Sequence, residues 1–99
     1  MLTEASPTEG RNGALAWREC GAPELPVAAF FHGLGGSRFD WDEELTGLAD
    51  LRHSVAWDAP GYGDSAGLVS TLPELADTAA AWLAELGGGQ PVDIVGLSF

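Results

Sequence analysis

The sequence has little positive charge and almost no cysteine. Its 99 residues include no lysine and four arginines against fifteen acidic residues, which gives a net charge of −11. Nucleic acids and anionic membrane surfaces are bound through basic patches, and four arginines are too few to build one. Cys20, the single cysteine, can form neither an internal disulfide nor a thiolate metal cluster. We therefore predict no nucleic-acid or membrane partner, and a small buried hydrophobic role for Cys20.

Long apolar runs and cofactor motifs are also missing. The continuous apolar run at residues 27–31 is far shorter than the ~20 residues that a membrane-spanning helix needs. The N-terminal residues carry acidic groups and no segment typical of a secretory signal, so we expect a cytoplasmic protein. No His, Cys or acidic cluster has metal-ligand spacing, and no glycine-rich stretch matches a phosphate loop or dinucleotide fingerprint. The sequence therefore predicts neither a metal nor a cofactor.

Apolar strands and amphipathic helices alternate along the chain. The apolar fraction, 45%, is that of a globular domain. Trp41, Leu45 and Leu48 share one face of a predicted helix. A second helix begins at a capping box formed by Thr71 and Glu74, and it ends at a run of glycines. The predicted strands are residues 14–20, 27–31, 53–58 and 92–95. This alternation predicts an α/β fold with a mostly parallel sheet flanked by helices.

Three sharp or glycine-rich segments follow predicted strands, at residues 32–37, 58–65 and 96–99. In parallel sheets, sites form at the carboxyl ends of the strands. The last segment, Gly-Leu-Ser-Phe, matches the first four positions of the G-x-S-x-G nucleophile elbow. That motif lifts a serine hydroxyl out of the sheet on a sharp strand-to-helix turn. Because the motif's final glycine is missing, we expect the chain to be a fragment or the product of a truncated reading frame.

From about residue 27 to residue 99 the chain resembles the α/β-hydrolase family. The resemblance depends on three motifs in the family's order: His-Gly-Leu-Gly-Gly-Ser, Asp-Ala-Pro-Gly-Tyr-Gly-Asp-Ser and Gly-Leu-Ser-Phe. It implies the N-terminal part of an α/β-hydrolase fold, truncated, over residues 13–99. Residues 1–12 are predicted to form a flexible polar tail.

The resemblance also implies a site built from one serine side chain and two backbone donors. Ser98 is the predicted nucleophile, and the N–H groups of Leu34 and Phe99 are the predicted oxyanion donors. Three residues of the first motif are expected to support the oxyanion loop: His32, Gly33 and Gly35. In the family the catalytic acid and histidine follow the serine, so we assign neither His32 nor His53 to a triad. The segment that begins at Asp58 is expected to brace the site.

These motifs predict that the parent protein cleaves a small-molecule ester, lactone or activated carbonyl compound through an acyl-serine intermediate. Serine rather than aspartate at position 98 argues against dehalogenase or epoxide hydrolase chemistry, which in this superfamily usually uses an aspartate nucleophile. An acyltransferase of the same fold and a non-catalytic ligand-binding protein remain alternatives. We expect the 99-residue chain alone to be inactive and poorly folded, and the sequence does not indicate an oligomeric state.

Overall fold

One five-stranded sheet with helices on both faces organises the chain. The computed structural model describes residues 6–67 and 71–97. The strands are β1 Thr8–Asn12, β2 Leu15–Cys20, β3 Val27–Phe31, β4 His53–Asp58 and β5 Asp93–Gly96. The helices are a 3-10 turn at Arg38–Trp41, α1 Asp42–Gly47 and α2 Leu72–Gly87.

The sheet is mixed, in the order β1-β2-β4-β3-β5. The chain begins with an antiparallel hairpin, β1 and β2, and β2 continues antiparallel to β4. Strands β4, β3 and β5 are parallel, and a helix lies in the connection between each successive pair. This architecture confirms the α/β fold predicted for a truncated α/β-hydrolase domain.

The predicted flexible tail over residues 1–12 is wrong for its second half, because Thr8–Asn12 form β1. The segment has no apolar alternation, so the sequence pattern alone does not predict a strand. Its pairing with β2 supplies the main-chain hydrogen bonds, in a register that places Gly10 opposite Trp17. A Cβ atom at Gly10 would overlap the Trp17 indole, so glycine lets the two strands approach.

Two apolar clusters cover the two faces of the sheet. Against α2, an aromatic cluster joins Trp17 and Trp57 to the almost fully buried Trp82. Against α1, Phe30 packs on Trp41 with ring centroids 5.1 Å apart, and the buried Cys20 lies in the same cluster. The predicted buried role of Cys20 is therefore confirmed.

Helix α2 begins and ends where its sequence predicts. The Thr71 hydroxyl accepts a hydrogen bond from the Glu74 N–H at 3.4 Å and so caps the first turn. At the other end Gly88 has φ of 57°, the left-handed conformation that terminates helices and favours glycine. The helix therefore lies across β3 and β4 with Leu75, Trp82 and Leu83 buried.

Candidate active site

The carboxyl ends of three parallel strands meet at one edge of the sheet. Phe31, the last residue of β3, pairs with Gly96, the last residue of β5. Beyond that pair, the Leu97 N–H donates to the Phe31 carbonyl at 3.1 Å. The end of β4 lies on the other side of β3, because β3 is central to the parallel part of the sheet. The chain segments that follow all three strands therefore begin side by side.

The predicted nucleophile and one predicted oxyanion donor, Ser98 and Phe99, lie outside the described residues. The strand that precedes them is described up to Leu97, which lies beside the start of the glycine loop. Their assignment as nucleophile and donor therefore stays a prediction.

Residues 33–36 form a tight turn directly after β3. The Gly36 N–H donates to the Gly33 carbonyl at 2.9 Å, which closes the turn. Gly35, the third residue of the turn, has φ of 78°. A positive φ at this position is the requirement of a type II turn, and glycine meets it without steric cost. The positive φ at this position therefore explains why the motif has a glycine at residue 35.

Leu34 is the outward corner of this turn. Its side chain is 76% exposed, and no described group accepts a hydrogen bond from its N–H. At Gly36, by contrast, a Cβ atom would overlap the Asp40 carboxylate and lie 2.9 Å from the His32 Cβ. The turn is therefore tight on its inner side and presents an open backbone donor on its outer side.

His32 is buried and uses both ring nitrogens to hold the loop. Its Nε2 accepts from the Ala59 N–H at 3.0 Å, so that nitrogen carries no proton. Its Nδ1 donates to the Gly33 carbonyl at 2.9 Å. These two partners define a neutral ring with the proton on Nδ1. A ring engaged in this way cannot also accept a proton from a nucleophile.

The segment after β4 closes around the Asp58 carboxylate. Asp58 is fully buried and accepts from the backbone N–H groups of Arg38 at 2.7 Å and Asp64 at 2.9 Å. A Cβ atom at Gly63 would overlap this carboxylate, and Gly63 also has φ of 50°. The Ser65 hydroxyl donates to the Asp58 carbonyl at 2.5 Å and ties the far end of the segment to β4.

Arg38 neutralises the buried Asp58 carboxylate. Its Nη1 lies 2.5 Å from Asp58 Oδ2, and its Nη2 lies 2.8 Å from Asp64 Oδ2 and 2.9 Å from Glu9 Oε1. Hydrogen bonding to Glu9, and then to Asp58, raises the pKa of the Arg38 guanidinium against the opposing effect of burial. Neither Arg38 nor Glu9 was identified from the sequence. The only sequence signal was the scarcity of cations, four in all, which makes a buried one notable.

An apolar cavity of about 210 Å³ lies at the same edge of the sheet. It opens between the ends of β3 and β4 and the first turns of α2. Its walls are formed by Phe31, His32, Trp57, Ala59, Leu72, Leu75, Ala76 and Ala79. A larger cavity, about 580 Å³, lies at the opposite edge near Pro26, Arg52 and Asp93, and none of the predicted site residues lines it. The smaller cavity is therefore the one that belongs to the candidate site.

His53 lies far from this site along β4, where it pairs with Val27 at the amino ends of the strands. It begins the strand but is buried rather than solvated. Its Nε2 lies 3.2 Å from Glu19 Oε1, and Trp17 Nε1 donates to the other Glu19 oxygen at 2.5 Å. The hydrogen bond with His53 is the largest cause that lowers the pKa of Glu19 below its ordinary value.

Residues 6–67 and 71–97 contain neither a metal-binding cluster nor a membrane-spanning helix. No three His, Cys, Asp or Glu side chains there are placed to hold a metal ion. Across the same residues, no helix has the length and apolar character needed to cross a membrane.

Comparison with known proteins places this geometry in a family. The family model described as "Alpha/beta hydrolase family" matches residues 28–99. None of the curated proteins compared with the chain matches it.

Solved structures of hydrolases share the fold. An esterase of M. tuberculosis is 28% identical with a TM-score of 0.79, over 99% of this chain and 33% of its own. A haloalkane dehalogenase from Bradyrhizobium elkani is 28% identical with a TM-score of 0.76, over 94% of this chain and 33% of its own. The Cif epoxide hydrolase from Acinetobacter nosocomialis, 17% identical with a TM-score of 0.81 over 99% of this chain and 32% of its own, shows likeness of fold alone.

The chain thus spans about a third of the length of the structures it matches. The family model covers the segment that contains the glycine loop, the Asp58 segment and β5. On this evidence the chain belongs to the alpha/beta hydrolase family.

Proposed function

We propose that the whole protein containing this chain is a serine hydrolase that cleaves a small-molecule ester, lactone or other activated carbonyl compound. In this proposal the Ser98 hydroxyl attacks the carbonyl carbon and forms an acyl-serine intermediate, which water then hydrolyses. The N–H groups of Leu34 and Phe99 stabilise the oxyanion that forms at each step.

The observation that carries the proposal is the open N–H of Leu34 on a turn that is closed by a hydrogen bond. Gly35 supplies the positive φ of the turn, and His32 holds the turn against the end of β4. Oxyanion stabilisation needs donors that are in place before charge develops, because reorganising them during the reaction would raise the barrier. The closed turn supports this role for Leu34, as does the Leu97 N–H, which donates to the Phe31 carbonyl at 3.1 Å beside the base of the turn.

The acyl-serine mechanism also requires a general base, and the chain's two histidines do not suit that role. His32 uses both ring nitrogens within the loop, and His53 lies at the opposite edge of the sheet. The proposal therefore assigns the base and the acid that orients it to residues of the whole protein outside this chain. Serine at position 98 favours ester-like substrates over the haloalkanes and epoxides named for two of the structural neighbours.

A serine-directed fluorophosphonate tests the proposal on the whole protein. We expect one covalent label on the peptide that contains Ser98, and loss of both the label and p-nitrophenyl acetate hydrolysis in Ser98→Ala. Ser6→Ala is the matched control, since Ser6 is exposed and far along the chain from the site. A label on another residue, together with full activity in Ser98→Ala, would refute the proposal.

The labelling and hydrolysis measurements also distinguish a serine hydrolase from an acyltransferase and from a non-catalytic protein. A labelled Ser98 whose acyl group is released only when an alcohol or amine acceptor is added would identify an acyltransferase. A folded protein that neither labels nor hydrolyses would identify a non-catalytic member of the family.

A further inference from the structure

The glycine loop is held at both of its ends by two consecutive residues of the chain. Ala59 donates its N–H to His32 Nε2 at 3.0 Å, where the loop begins. Asp58 accepts from the Arg38 N–H at 2.7 Å, just after the loop ends. Any shift of Asp58 and Ala59 relative to β3 therefore moves both ends of the loop that carries Leu34.

Arg38 is the cation that holds this arrangement in place. Its guanidinium bonds to the side chain of Asp58 while its own backbone N–H bonds to the same carboxylate. Its flat face lies 4.3 Å from the centre of the Phe39 ring, and the guanidinium of Arg18 lies 4.8 Å from the same ring. Planar stacking together with forked hydrogen bonding is a property of arginine that lysine does not share.

Glu9 brings the N-terminal strand into this cluster. It lies on β1 and bonds to Arg38 through both carboxylate oxygens, at 2.9 to 3.3 Å. The same carboxylate lies 3.8 Å from Arg18. Glu9 is half exposed whereas Arg38 is buried, so the pair reaches from the surface of the hairpin to the base of the loop.

We propose that Glu9 and Arg38 are positioning residues of the oxyanion loop, which they hold by clamping Asp58 against the start of the 3-10 turn. The inference rests on the proposed serine hydrolase function, and it adds a role for the N-terminal hairpin. This role requires no contact between either side chain and the reacting atoms. Both act through the backbone, by keeping the Leu34 N–H at the place where the oxyanion forms.

A positioning role has a distinctive kinetic consequence. The oxyanion donor acts more strongly in the transition state than in the ground state, so its displacement lowers kcat and leaves KM nearly unchanged. A displacement of about 1 Å can cost on the order of 10²-fold in rate. A residue that only stabilised the fold would instead lower the amount of active enzyme and the temperature at which it unfolds.

The test compares Arg38→Lys and Glu9→Gln in the whole protein with Arg52→Gln as a matched control. Arg52 also forms an arginine–carboxylate pair, with Asp93 at 2.6 Å, but at the opposite edge of the sheet. We expect Arg38→Lys to lower kcat by roughly 10- to 10²-fold with little change in KM. We expect a smaller fall for Glu9→Gln and none for Arg52→Gln. Affinity for an alkylboronic acid, which forms a tetrahedral adduct with serine, should fall in parallel with kcat.

Amide hydrogen exchange provides the readout that does not depend on catalysis. The Gly36 and Ala59 amides bond to Gly33 and His32. Their protection from exchange should fall in the two clamp variants, Arg38→Lys and Glu9→Gln, and stay unchanged in Arg52→Gln. Should Arg38→Lys fail to fold, Glu9→Gln carries the test, since its side chain is half exposed and keeps its shape.

Two results would overturn the inference: unchanged kcat and boronic acid affinity in both clamp variants, or a fall in kcat with Gly36 and Ala59 protection intact. Failure of the proposed function gives a different result. In that case the wild-type protein would carry no label at Ser98, while the exchange measurements would still report whether the clamp holds the loop.

Discussion

At the scale of single residues, the candidate site depends on backbone groups more than on side chains. Leu34 illustrates this, because it is 76% exposed and no described group accepts a hydrogen bond from its N–H. The glycines around it are required by a positive φ at Gly35 and by close approach at Gly36. We therefore expect turnover to survive a change of side chain at position 34 but to fall when the N–H of that residue is lost.

Leu34→Ala and Leu34→Pro form a pair that tests this property in the whole protein. Alanine keeps the donor, so we expect a modest change in turnover. Proline removes the donor, and we expect turnover to fall on the order of 10²–10³-fold, the usual cost of one oxyanion donor. Steady-state kinetics would be measured beside far-UV circular dichroism, because proline also restrains the backbone. Normal turnover in a folded Leu34→Pro protein would exclude this N–H as a donor.

At the scale of elements, part-buried polar pairs join the strands in addition to apolar packing. Glu19, near the carboxyl end of β2, and His53, at the amino end of β4, form such a pair, and Trp17 adds a second hydrogen bond to the same carboxylate. Because the pKa of Glu19 is lowered by folding, its ionised form is stabilised in the folded state. That contribution is fully present above the ordinary value of 4.5 and is lost as the pH falls through the lower folded value.

We expect Glu19→Gln to lower the free energy of unfolding by about 1 kcal/mol at neutral pH, the usual size for one hydrogen bond. The difference from wild type should shrink as the pH falls below 4.5. Urea denaturation of both proteins across this range measures it, with Glu24→Gln, an exposed glutamate, as control. A difference that stays constant or widens towards acid would contradict the assignment.

Elements with strong apolar patterns were predicted well from the sequence. The bounds of β3 and β4 agree with the predicted runs, and α2 begins at Leu72, directly after its predicted cap Thr71. Strand β1 was missed because nothing in Thr8–Asn12 is apolar, and its stability depends on pairing with β2 and on Glu9. The Arg38 cluster was missed for a related reason. Its partners lie 20 to 29 residues away from Arg38 in the sequence, and only the folded chain brings them together.

At the scale of the whole molecule, β5 leaves apolar surface uncovered in the described part of the chain. All four of its residues are exposed, with Ile94 at 64%, and Leu97 beyond it is 60% exposed. Within the described residues β5 pairs with β3 alone, so its other edge presents free main-chain groups. Exposed apolar edge strands template pairing with other chains.

We therefore expect residues 1–99, prepared alone, to self-associate and to show no hydrolysis of p-nitrophenyl acetate above a Ser98→Ala control. Ile94→Lys should reduce the association, because charge on an edge strand opposes pairing. Leu72→Lys, at an equally exposed apolar position on α2, should not. Sedimentation velocity measures the association. A monodisperse monomer with Ser98-dependent turnover would show that the 99 residues are sufficient for both folding and activity.

The tryptophan cluster beneath α2 also has an optical consequence. Trp57 and Trp82 stack with ring centroids 5.6 Å apart and planes 17° apart, and Trp17 lies 5.5 Å from Trp82. One of the three indoles belongs to the helix and two to the sheet. The transition dipole of Trp82 couples to those of Trp17 and Trp57 only while the helix is docked, so near-ultraviolet dichroism reports docking separately from helix content. The near-ultraviolet signal of these tryptophans can therefore follow the folding step in which α2 packs onto the sheet.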